Sequence, residues 1–580
     1  MDIKDVSGIE EFSAFFQQLQ VTAEKARGRK GQIPHDHPLP SMLVSQFNME
    51  LIQAIAMSTI DNGRVNIKTS QVPPAYIPCS RPANELEPLS ISKMRQRPEK
   101  ALLDAISSRS NGIPTEKGLF REAKAYYALQ QFDRCAKKLQ QVLVLNPDNK
   151  DAETDLERTG RRIFEQVTGD FKWKHMHKQS EATPPMIDCA TYSSPVEVRA
   201  SPGRGRGLFT AKAVKTGELL LCEKAFSYVY ADQNDPSSRK NVKILMNLDS
   251  KKMTMGGQAT LISTIVQKLH HNPEAASHFM SLHHGDYNGV KTAQRGQLVV
   301  DTFLVERIIN LNCFGAPRST LESMKNKANQ VQEDNSYTTC GIWTTASFIN
   351  HSCVGNCYRS FIGDMMIVRA CRDLDAGTEL LFSYELPKEG ADYQATQNDL
   401  KHWGFVCRCE LCEEKKETSQ PMFQKRQRLV RDLKNSMRAC RAPAQEAKVL
   451  RLLSQVEDTY PGGKGTLRLD IWEVYLALGQ KRADRGKLAE GLELMIKGLE
   501  ALGFEVVAFP PGKPSGKPTL EIKKWGQVND YLVSAFLAMF HAYKVLAPEL
   551  CEVAKGYAET VYVITHGEKD TIGTLFEEFK

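Results

Sequence analysis

The stretch Phe348-Ile349-Asn350-His351-Ser352-Cys353-Val354-Gly355-Asn356-Cys357 combines an asparagine–histidine pair with two cysteines. An amide and an imidazole behind two apolar residues are costly to bury unless both side chains find hydrogen-bond partners. A second cluster, Cys407-Arg408-Cys409-Glu410-Leu411-Cys412, follows later, and the strand-like run Glu379-Leu380-Leu381-Phe382-Ser383-Tyr384 lies between them. Taken alone, the asparagine–histidine pair is best explained as part of a buried turn. The order of the three segments is therefore what carries information.

Upstream, the run Gly203-Arg204-Gly205-Arg206-Gly207-Leu208-Phe209 precedes the strand-like Glu218-Leu219-Leu220-Leu221. Together with the three later segments, and in this order, it resembles a SET-domain protein methyltransferase over roughly Pro195 to Cys412. The sequence departs from the family at Gly355, where the family usually has proline, and we expect a loosened turn there. The glycines do not fit the G-x-G-x-x-G spacing of a dinucleotide site, and a strand follows them instead of a helix.

The resemblance implies an α+β protein: a SET-domain β-fold with a helical insertion and a zinc-bound post-SET loop, flanked by α-helical tetratricopeptide-like modules. It is similar to the SET-and-MYND group, but no cysteine lies between Cys222 and Cys313. We therefore expect the MYND zinc finger to be absent. The predicted segments are an N-terminal region of unclear fold at 1–98, tetratricopeptide-like helices at 99–182, a SET domain at 183–388 with its insertion at about 235–300, a post-SET zinc segment at 389–415 and a C-terminal helical domain at 425–580.

Two stretches fit the spacing of a tetratricopeptide unit. In Phe120 to Pro147, the small residues Ala123 and Cys135 stand where two helices must approach closely, and Leu478 to Leu502 repeats this spacing with glycines. One such unit cannot bury its own apolar face, so neighbouring helices must complete it. A generic helical hairpin is the alternative for the first stretch.

The composition is that of an ordinary soluble protein of several domains, with 580 residues, 41% hydrophobic and 25% charged. A net charge of +7 is small for this length, so direct nucleic-acid binding is not indicated. Neither a signal peptide nor an apolar run of about 20 residues is visible, so no membrane association is expected. The fourteen cysteines are then expected as reduced thiols or metal ligands in the nucleus, the cytoplasm or both. The basic run Lys25 to Lys30 is either a nuclear-localisation patch or, more simply, a solvated loop.

Several histidines occur in the predicted insertion, where Thr260 to Leu269 has helical spacing. A metal site among them lacks any supporting cysteine or acidic pattern. These histidines are His270, His271, His278, His283 and His284.

Methyl transfer from S-adenosylmethionine to a lysine needs a neutral amine held close to the methyl group, in a narrow aromatic channel. The resemblance places Tyr384 at the catalytic tyrosine and makes Phe314, Tyr384 and Trp403 the substrate-channel residues. An unperturbed tyrosine titrates near 10, so its hydroxyl is expected to orient the amine and not to act as a strong base. The cofactor contacts that the resemblance implies are Arg204, Gly205, Arg206, Asn312, Ser347, Asn350, His351, Tyr384 and Phe405.

The second cysteine cluster offers three thiolates at short spacing, whereas structural zinc takes four ligands. The family pattern makes Cys353 the fourth ligand beside Cys407, Cys409 and Cys412. Such a site would fasten the post-SET loop over the Asn350–His351 turn and complete the pocket with Trp403 and Phe405. Three reduced buried cysteines are the alternative.

These observations favour a SET-domain protein-lysine methyltransferase that uses S-adenosylmethionine and holds a structural zinc ion. Its partners would be a protein substrate, histone or non-histone, and a protein bound through the helical repeats. The main alternative is an inactive SET-fold scaffold that works through those repeats. A weaker one is a redox or metal sensor built on Cys407, Cys409 and Cys412.

Overall fold

The structure is a computed structural model, and it describes residues 60–61, 64–65, 97–108, 113–232, 243–247, 252–288, 293–294, 297–298, 300–328, 338–388, 390–440, 442–460, 466–509 and 518–580. The basic run Lys25 to Lys30 and most of the predicted N-terminal region lie outside these residues. The helices, numbered in chain order, are α1 (Pro98–Ser107), α2 (Glu116–Ala128), α3 (Phe132–Leu145), α4 (Lys150–Thr168), α5 (Trp173–Ser180), α6 (Gly257–His271), α7 (Pro273–Met280), α8 (Thr302–Asn312), α9 (Thr320–Ala328), α10 (Tyr393–Leu400), α11 (Glu410–Glu417), α12 (Gln420–Ala439), α13 (Pro443–Glu457), α14 (Trp472–Asp484), α15 (Leu488–Ala501), α16 (Tyr531–Leu546) and α17 (Cys551–His566).

The strands are short and fall mostly between α5 and α10. They are β1 (Ile60–Asp61), β2 (Arg64–Val65), β3 (Val196–Ser201), β4 (Gly205–Thr210), β5 (Leu219–Lys224), β6 (Ser227–Val229), β7 (Ile244–Asn247), β8 (Lys252–Met255), β9 (Ala293–Gln294), β10 (Gln297–Leu298), β11 (Phe314–Gly315), β12 (Cys340–Ile342), β13 (Asn350–His351), β14 (Cys357–Ile362), β15 (Met365–Ala370), β16 (Leu381–Phe382), β17 (Glu505–Phe509) and β18 (Thr519–Lys524). Single-turn 3₁₀ helices lie at Ala346–Phe348, Lys401–Trp403, Pro548–Leu550, Ile572–Thr574 and Glu577–Phe579.

The N-terminal helices α2 and α3 pack as an antiparallel pair because small residues face each other at their crossing. Ala123 and Cys135 are 1% and 2% exposed, and Leu139 is fully buried between the helices. Ala152 of α4 joins the same apolar cluster. The third helix thus covers the face that two helices alone would leave open, as the sequence pattern requires.

Between α5 and α10, the core of the fold is an antiparallel sheet in the order β14-β15-β5. Leu220, Leu221, Met366 and Val368 are fully buried, which explains why these strands read as continuous apolar runs. A hairpin of β3 and β4 pairs Ser201 with Gly205, and a second small sheet has the order β11-β12-β6. In the described residues, β13 and β16 form the one parallel pair, and the functional side chains lie around it.

The predicted insertion is helical only in part. Thr260 to Leu269 lies within α6, as its spacing indicates, and α6 packs with α7 and α8 around Ile265, Leu269 and Phe279. The flanks, however, form the β7–β8 and β9–β10 hairpins. Runs such as Ile244-Leu245-Met246 are too short for a helix and satisfy their backbone by pairing.

The C-terminal helices pack closely where the sequence places glycines. A Cβ at Gly479 would lie 2.8 Å from the carbonyl oxygen of Gly491, and a Cβ at Gly498 would lie 2.7 Å from Leu476. The β17–β18 hairpin follows α15 and was not expected from the sequence, although Val506 and Val507 suit a strand. The end of α17 docks onto the central sheet, since Arg369 Nε donates to the carbonyl oxygen of Gly567 at 2.7 Å.

None of the described helices is long and apolar enough to cross a membrane.

Candidate active site and metal centre

The site is built on the parallel pairing of β13 with β16, which sets Asn350 opposite Leu381 and His351 opposite Phe382. The chain after β16 then turns so that the backbone N–H of Tyr384 donates to Nδ1 of His351 at 3.0 Å. Gly355 makes this crossing possible: a Cβ there would lie 2.7 Å from the carbonyl oxygen of Leu381. The turn at Gly355 is therefore tightly packed, whereas the sequence led us to expect a loosened one.

Tyr384 lies in an aromatic pocket. Its ring centroid is 5.2 Å from that of His351, 5.3 Å from Trp403 and 6.2 Å from Phe405. The hydroxyl donates to the carbonyl oxygen of Ile349 at 2.7 Å. Burial raises the pKa of Tyr384 above its ordinary value. The phenol is therefore neutral near pH 7, and its oxygen keeps lone pairs that can accept a hydrogen bond.

Asn350 faces the β3–β4 hairpin. Its Nδ2 donates to the carbonyl oxygen of Arg206 at 3.1 Å and to Oε1 of Glu379 at 2.8 Å. Both amide protons are thus taken by the protein, and Oδ1 is the acceptor left for a ligand. Glu379 Oε1 also accepts from the hydroxyl of Ser201 at 2.7 Å, so one carboxylate joins the hairpin to β13.

The β3–β4 hairpin leaves free space beside the hydrogen bonds that join Ser201, Glu379 and Asn350. Arg204 lies 3.7 Å from Glu379 Oε2. Gly205 has φ +75°, and no atom would lie within 4 Å of a Cβ there. A Cβ at Gly207, in contrast, would lie 2.5 Å from Glu379 Oε1, so only glycine lets the strand pass the carboxylate at this distance. Arg206 stacks on Phe348, with 4.8 Å from Cζ to the ring centroid, and donates to the carbonyl oxygen of Ser281.

Two of the predicted cofactor contacts use their polar groups elsewhere. Asn312, at the end of α8, donates to the carbonyl oxygens of His283 at 2.8 Å and Ile308 at 2.7 Å. Ser347 donates to the carbonyl oxygen of Trp343 at 2.8 Å. Neither forms a hydrogen bond with Asn350 or Tyr384 in the described structure, and only their oxygen lone pairs stay available to a ligand.

Of the predicted channel residues, Phe314 packs edge-on against Phe382, with 6.4 Å between the ring centroids. Trp403 reaches Tyr384 from the 3₁₀ turn at Lys401–Trp403, and the neighbouring His402 contacts the carbonyl oxygen of Asn310 through Nε2 at 2.8 Å. This contact ties the segment between α10 and α11 to the end of α8. Of the two, Trp403 contacts Tyr384 directly, whereas Phe314 contacts Phe382, two residues before Tyr384 in the chain.

The four predicted metal ligands lie together. The sulfur atoms of Cys353, Cys407, Cys409 and Cys412 are within 4.8 Å of one another, and Cys353 Sγ is 3.6 Å from Cys412 Sγ. A hydrogen bond between the thiols raises the pKa of Cys353 and lowers that of Cys407. Four cysteine sulfurs at this spacing are the donor set of a structural zinc site, and the residues present fit that ion.

His351 links the cluster to Tyr384. Its Nε2 lies 3.4 Å from Cys353 Sγ, while its Nδ1 accepts from the Tyr384 backbone. The network thus assigns the ring proton to Nε2. Phe405, just before Cys407, packs on the His351 ring with 5.5 Å between centroids. A change at the sulfur cluster would therefore reach the tyrosine through one imidazole and one phenyl ring.

Three residues that support the site were not found from the sequence. Glu223 on β5 is buried and accepts from the backbone N–H groups of Thr345 at 2.7 Å and Ala346 at 2.9 Å. Burial raises the pKa of Glu223. Gln397 on α10 accepts from Cys407 N at 2.9 Å, and Glu379 joins Ser201 to Asn350. An acidic residue directly beside an apolar run, after it at Glu223 and before it at Glu379, was the available signal.

Comparison with known proteins supports the architecture. Residues 205–385 match the family model described as the SET domain. The chain is 46% identical over 482 residues to a protein named "Methyltransferase" from Gibberella zeae, which covers 82% of this chain and 66% of the relative. It is 23% identical over 259 residues to "N-lysine methyltransferase SMYD2-B" of Xenopus laevis, covering 37% of this chain and 60% of the relative.

A shorter match, 25% identical over 112 residues, is to "Protein-lysine N-methyltransferase SMYD4" of Pongo abelii and covers 19% of this chain and 14% of the relative. The chain thus spans just under two thirds of the first relative and less of the other two. The matched residues include β4, the β13–β16 pair, Cys353 and Tyr384, whereas β3, Trp403, Phe405 and the other three clustered cysteines lie outside them. This chain therefore carries a SET domain and is related to methyltransferases of the SET-and-MYND type.

Proposed function

We propose that this protein transfers a methyl group from S-adenosylmethionine to a lysine side chain of a protein substrate. The observation that carries the proposal is the β13–β16 pairing, which brings Asn350, His351 and Tyr384 into one pocket beside the open hairpin. The names of the two SET-and-MYND relatives, both lysine methyltransferases, support the choice of acceptor. The proposed catalytic residue is Tyr384.

The residues around the hairpin fit a cofactor with both an ammonium and a carboxylate. Asn350 Oδ1 and the carboxylate of Glu379 suit an ammonium group, while Arg204 and Arg206 suit a carboxylate. The open space beside Gly205 leaves room for backbone to approach the ligand closely. Phe405 offers an aromatic face for the adenine, and the His351 ring packs against the Phe405 ring.

The bound cofactor supplies an electrophilic methyl group on a sulfonium. The protein must then hold a neutral amine in line with that methyl. The Tyr384 hydroxyl is fixed by its bond to Ile349, so its oxygen can accept an N–H of the amine and aim the lone pair. Phe314 and Trp403 would pack the aliphatic stem of the lysine, and the raised pKa of Tyr384 excludes a role as general base near pH 7.

We further propose that zinc occupies the four-cysteine cluster as a structural ion, with no part in the transfer itself. The ion would hold Cys353, which precedes the Gly355 turn, to the segment that carries Phe405. Helices α2 to α4 and α12 to α17 would bind a protein partner or a segment of the substrate, since stacked helices present concave surfaces. We propose the nucleus, the cytoplasm or both as the location of the protein.

The proposal is tested by cofactor binding and transfer on the same sample. Calorimetry with S-adenosylhomocysteine should show binding to the wild type and a loss of about 1–3 kcal/mol for Asn350→Ala, because buried polar groups are left unpaired. Labelled S-adenosylmethionine with core histones and a cell lysate should then yield labelled protein. Gln267→Ala, on the exposed face of α6, is a control that should bind and transfer as the wild type does. Binding without any transfer would favour the inactive scaffold, and no binding would contradict the proposed cofactor.

A further inference from the structure

Arg359 on β14 lies in the aromatic region that the proposed substrate channel shares. Its guanidinium carbon is 5.2 Å from the ring centroid of Phe382 and 5.8 Å from that of Phe314. Nη1 donates to the carbonyl oxygen of Ser383 at 3.3 Å, one residue before Tyr384. A permanent positive charge therefore stands beside the channel, stacked on one of its proposed walls.

This charge has no acidic partner at ion-pair distance in the part of the chain that the structure describes. Burial lowers the pKa of Arg359 from its usual value, although the guanidinium stays protonated near pH 7. The titratable groups facing it are Tyr358 and Cys357 on its own strand, and Tyr384 and Glu385 after β16. Glu385 is exposed to solvent, so its attraction is screened.

Across the Tyr384 ring, the field is set by Arg204 and Glu379, which partly neutralise each other as an ion pair. Arg359 is thus the charged group near Tyr384 that no buried carboxylate beside it neutralises in the described structure. A half-buried cation without an anion is costly, and replacing it by an apolar residue would relieve that cost. Its position suggests that the site uses the uncompensated charge.

We infer that Arg359 is a specificity-determining residue that admits the acceptor lysine to the channel in its neutral form. The inference rests on the proposed function. A free lysine titrates near 10.4 and enters water-filled sites as an ammonium, which has no lone pair to react. At an effective dielectric constant of about 20, a positive charge lowers the pKa of an amine by roughly two units from about 6 Å away and by roughly one unit from about 12 Å away. The guanidinium would lower the amine's pKa by an amount in this range.

The ammonium loses one proton to solvent on entering the channel, and the amine lone pair forms the new N–C bond while the C–S bond breaks with its electrons staying on sulfur. The methylated nitrogen carries the positive charge afterwards and is repelled by the same guanidinium, which favours its release. The cost is weaker binding of the protonated substrate, so KM should fall as pH rises.

The test measures kcat and KM between about pH 6 and about pH 11, with core histones and labelled S-adenosylmethionine. For the wild type, the rise of kcat with pH should have its midpoint at about 8.4 to 9.4, roughly one to two units below free lysine. Arg359→Met keeps the stem over the rings but removes the charge, and its midpoint should move up by roughly one to two units while KM at pH 7 falls. Arg359→Lys keeps a charge and should restore much of the wild-type profile.

Arg97→Met removes one exposed arginine just before α1, outside the helices proposed to bind a partner, and should leave the profile unchanged. Melting temperature and S-adenosylhomocysteine affinity are measured on every variant. A lower melting temperature with an unmoved midpoint in Arg359→Met would make the residue structural and overturn the inference. If that variant does not fold, a wild-type midpoint at the free-lysine value overturns it instead. A wild type with no transfer contradicts the proposed function and this inference together.

Discussion

The two sides of the Asn350–His351 strand are held by different kinds of contact. On the side toward α11, Gly355 meets the backbone of β16, and Cys353 meets three other sulfur atoms. On the hairpin side, Gly207 meets the end of one side chain, the carboxylate of Glu379, and Asn350 donates to that carboxylate and to one backbone oxygen, that of Arg206. Backbone and sulfur contacts cannot shift without moving the chain, whereas a carboxylate can rotate. The rigid side therefore shapes the pocket of Tyr384, and the adjustable side can admit a ligand.

The largest effect should come from breaking the rigid side. Cys412→Ser removes one of four sulfur ligands, and structural zinc sites of this kind contribute on the order of 10 kcal/mol or more to folding of their segment. We expect loss of bound zinc, a lower melting temperature and cofactor binding weakened beyond about tenfold, because Phe405 and His351 are no longer held. Metal analysis and calorimetry measure these quantities.

The matched control is Cys551→Ser, which replaces a half-buried cysteine of α17 outside the cluster. This variant should keep the metal. A wild-type protein purified without zinc, or a Cys412→Ser variant with full metal content, would remove the zinc proposal. Retained metal with lost cofactor affinity would instead place the cluster's role in packing alone.

Tyr384→Phe probes the pocket that the rigid side shapes. The ring stays, so packing against Trp403 and Phe405 is kept and the melting temperature should change little. The variant should bind S-adenosylhomocysteine normally but transfer methyl groups slower by about 10²-fold or more, as for the loss of one preorganised hydrogen-bonding group. Rates per folded molecule that equal the wild-type rate would exclude the hydroxyl from the catalytic role. Lower stability with an unchanged rate would mark Tyr384 as structural.

The residues on the two sides of the Asn350–His351 strand could not be predicted equally well from the sequence. The motif order predicted a SET domain, and residues 205–385 match its family model. Three of the four cysteines could be grouped by their short spacing along the chain, and the family resemblance supplied Cys353 as the fourth, whereas their zinc stays a prediction. Glu379 was not recognised as a link, since its partner Ser201 is 178 residues away and a carboxylate gives no spacing signal. Arg359 was missed for a similar reason, because its neighbours Phe314 and Phe382 meet it only after folding.

The two glycines offer a direct comparison of the sides. Gly355→Ala places a Cβ 2.7 Å from a backbone oxygen, so β16 must move, and we expect a loss of about 1–3 kcal/mol in the free energy of unfolding. Gly207→Ala places its Cβ against the carboxylate of Glu379, which must turn and weaken its hydrogen bonds with Ser201 and Asn350, at a cost of about 1 kcal/mol. Denaturant unfolding of both variants measures the difference. Equal losses would show that the hairpin side is as rigid as the other.

The smallest effect, and the most specific one, concerns Glu379 itself. Glu379→Gln keeps an oxygen to accept from Ser201 and Asn350 but removes the negative charge. If that charge attracts the ammonium of the cofactor, affinity for S-adenosylhomocysteine should fall by about 1 kcal/mol, roughly fivefold, which is the usual gain of a charged over a neutral hydrogen bond. Methylthioadenosine has the same adenosine and thioether but lacks the amino-acid end, so its affinity should be unchanged. Ser201→Ala is the control that loosens the hairpin without touching the charge, and it should affect both ligands alike. Should Glu379→Gln weaken both ligands equally, the carboxylate serves only to hold the hairpin to Asn350, and the ammonium must find its partner elsewhere.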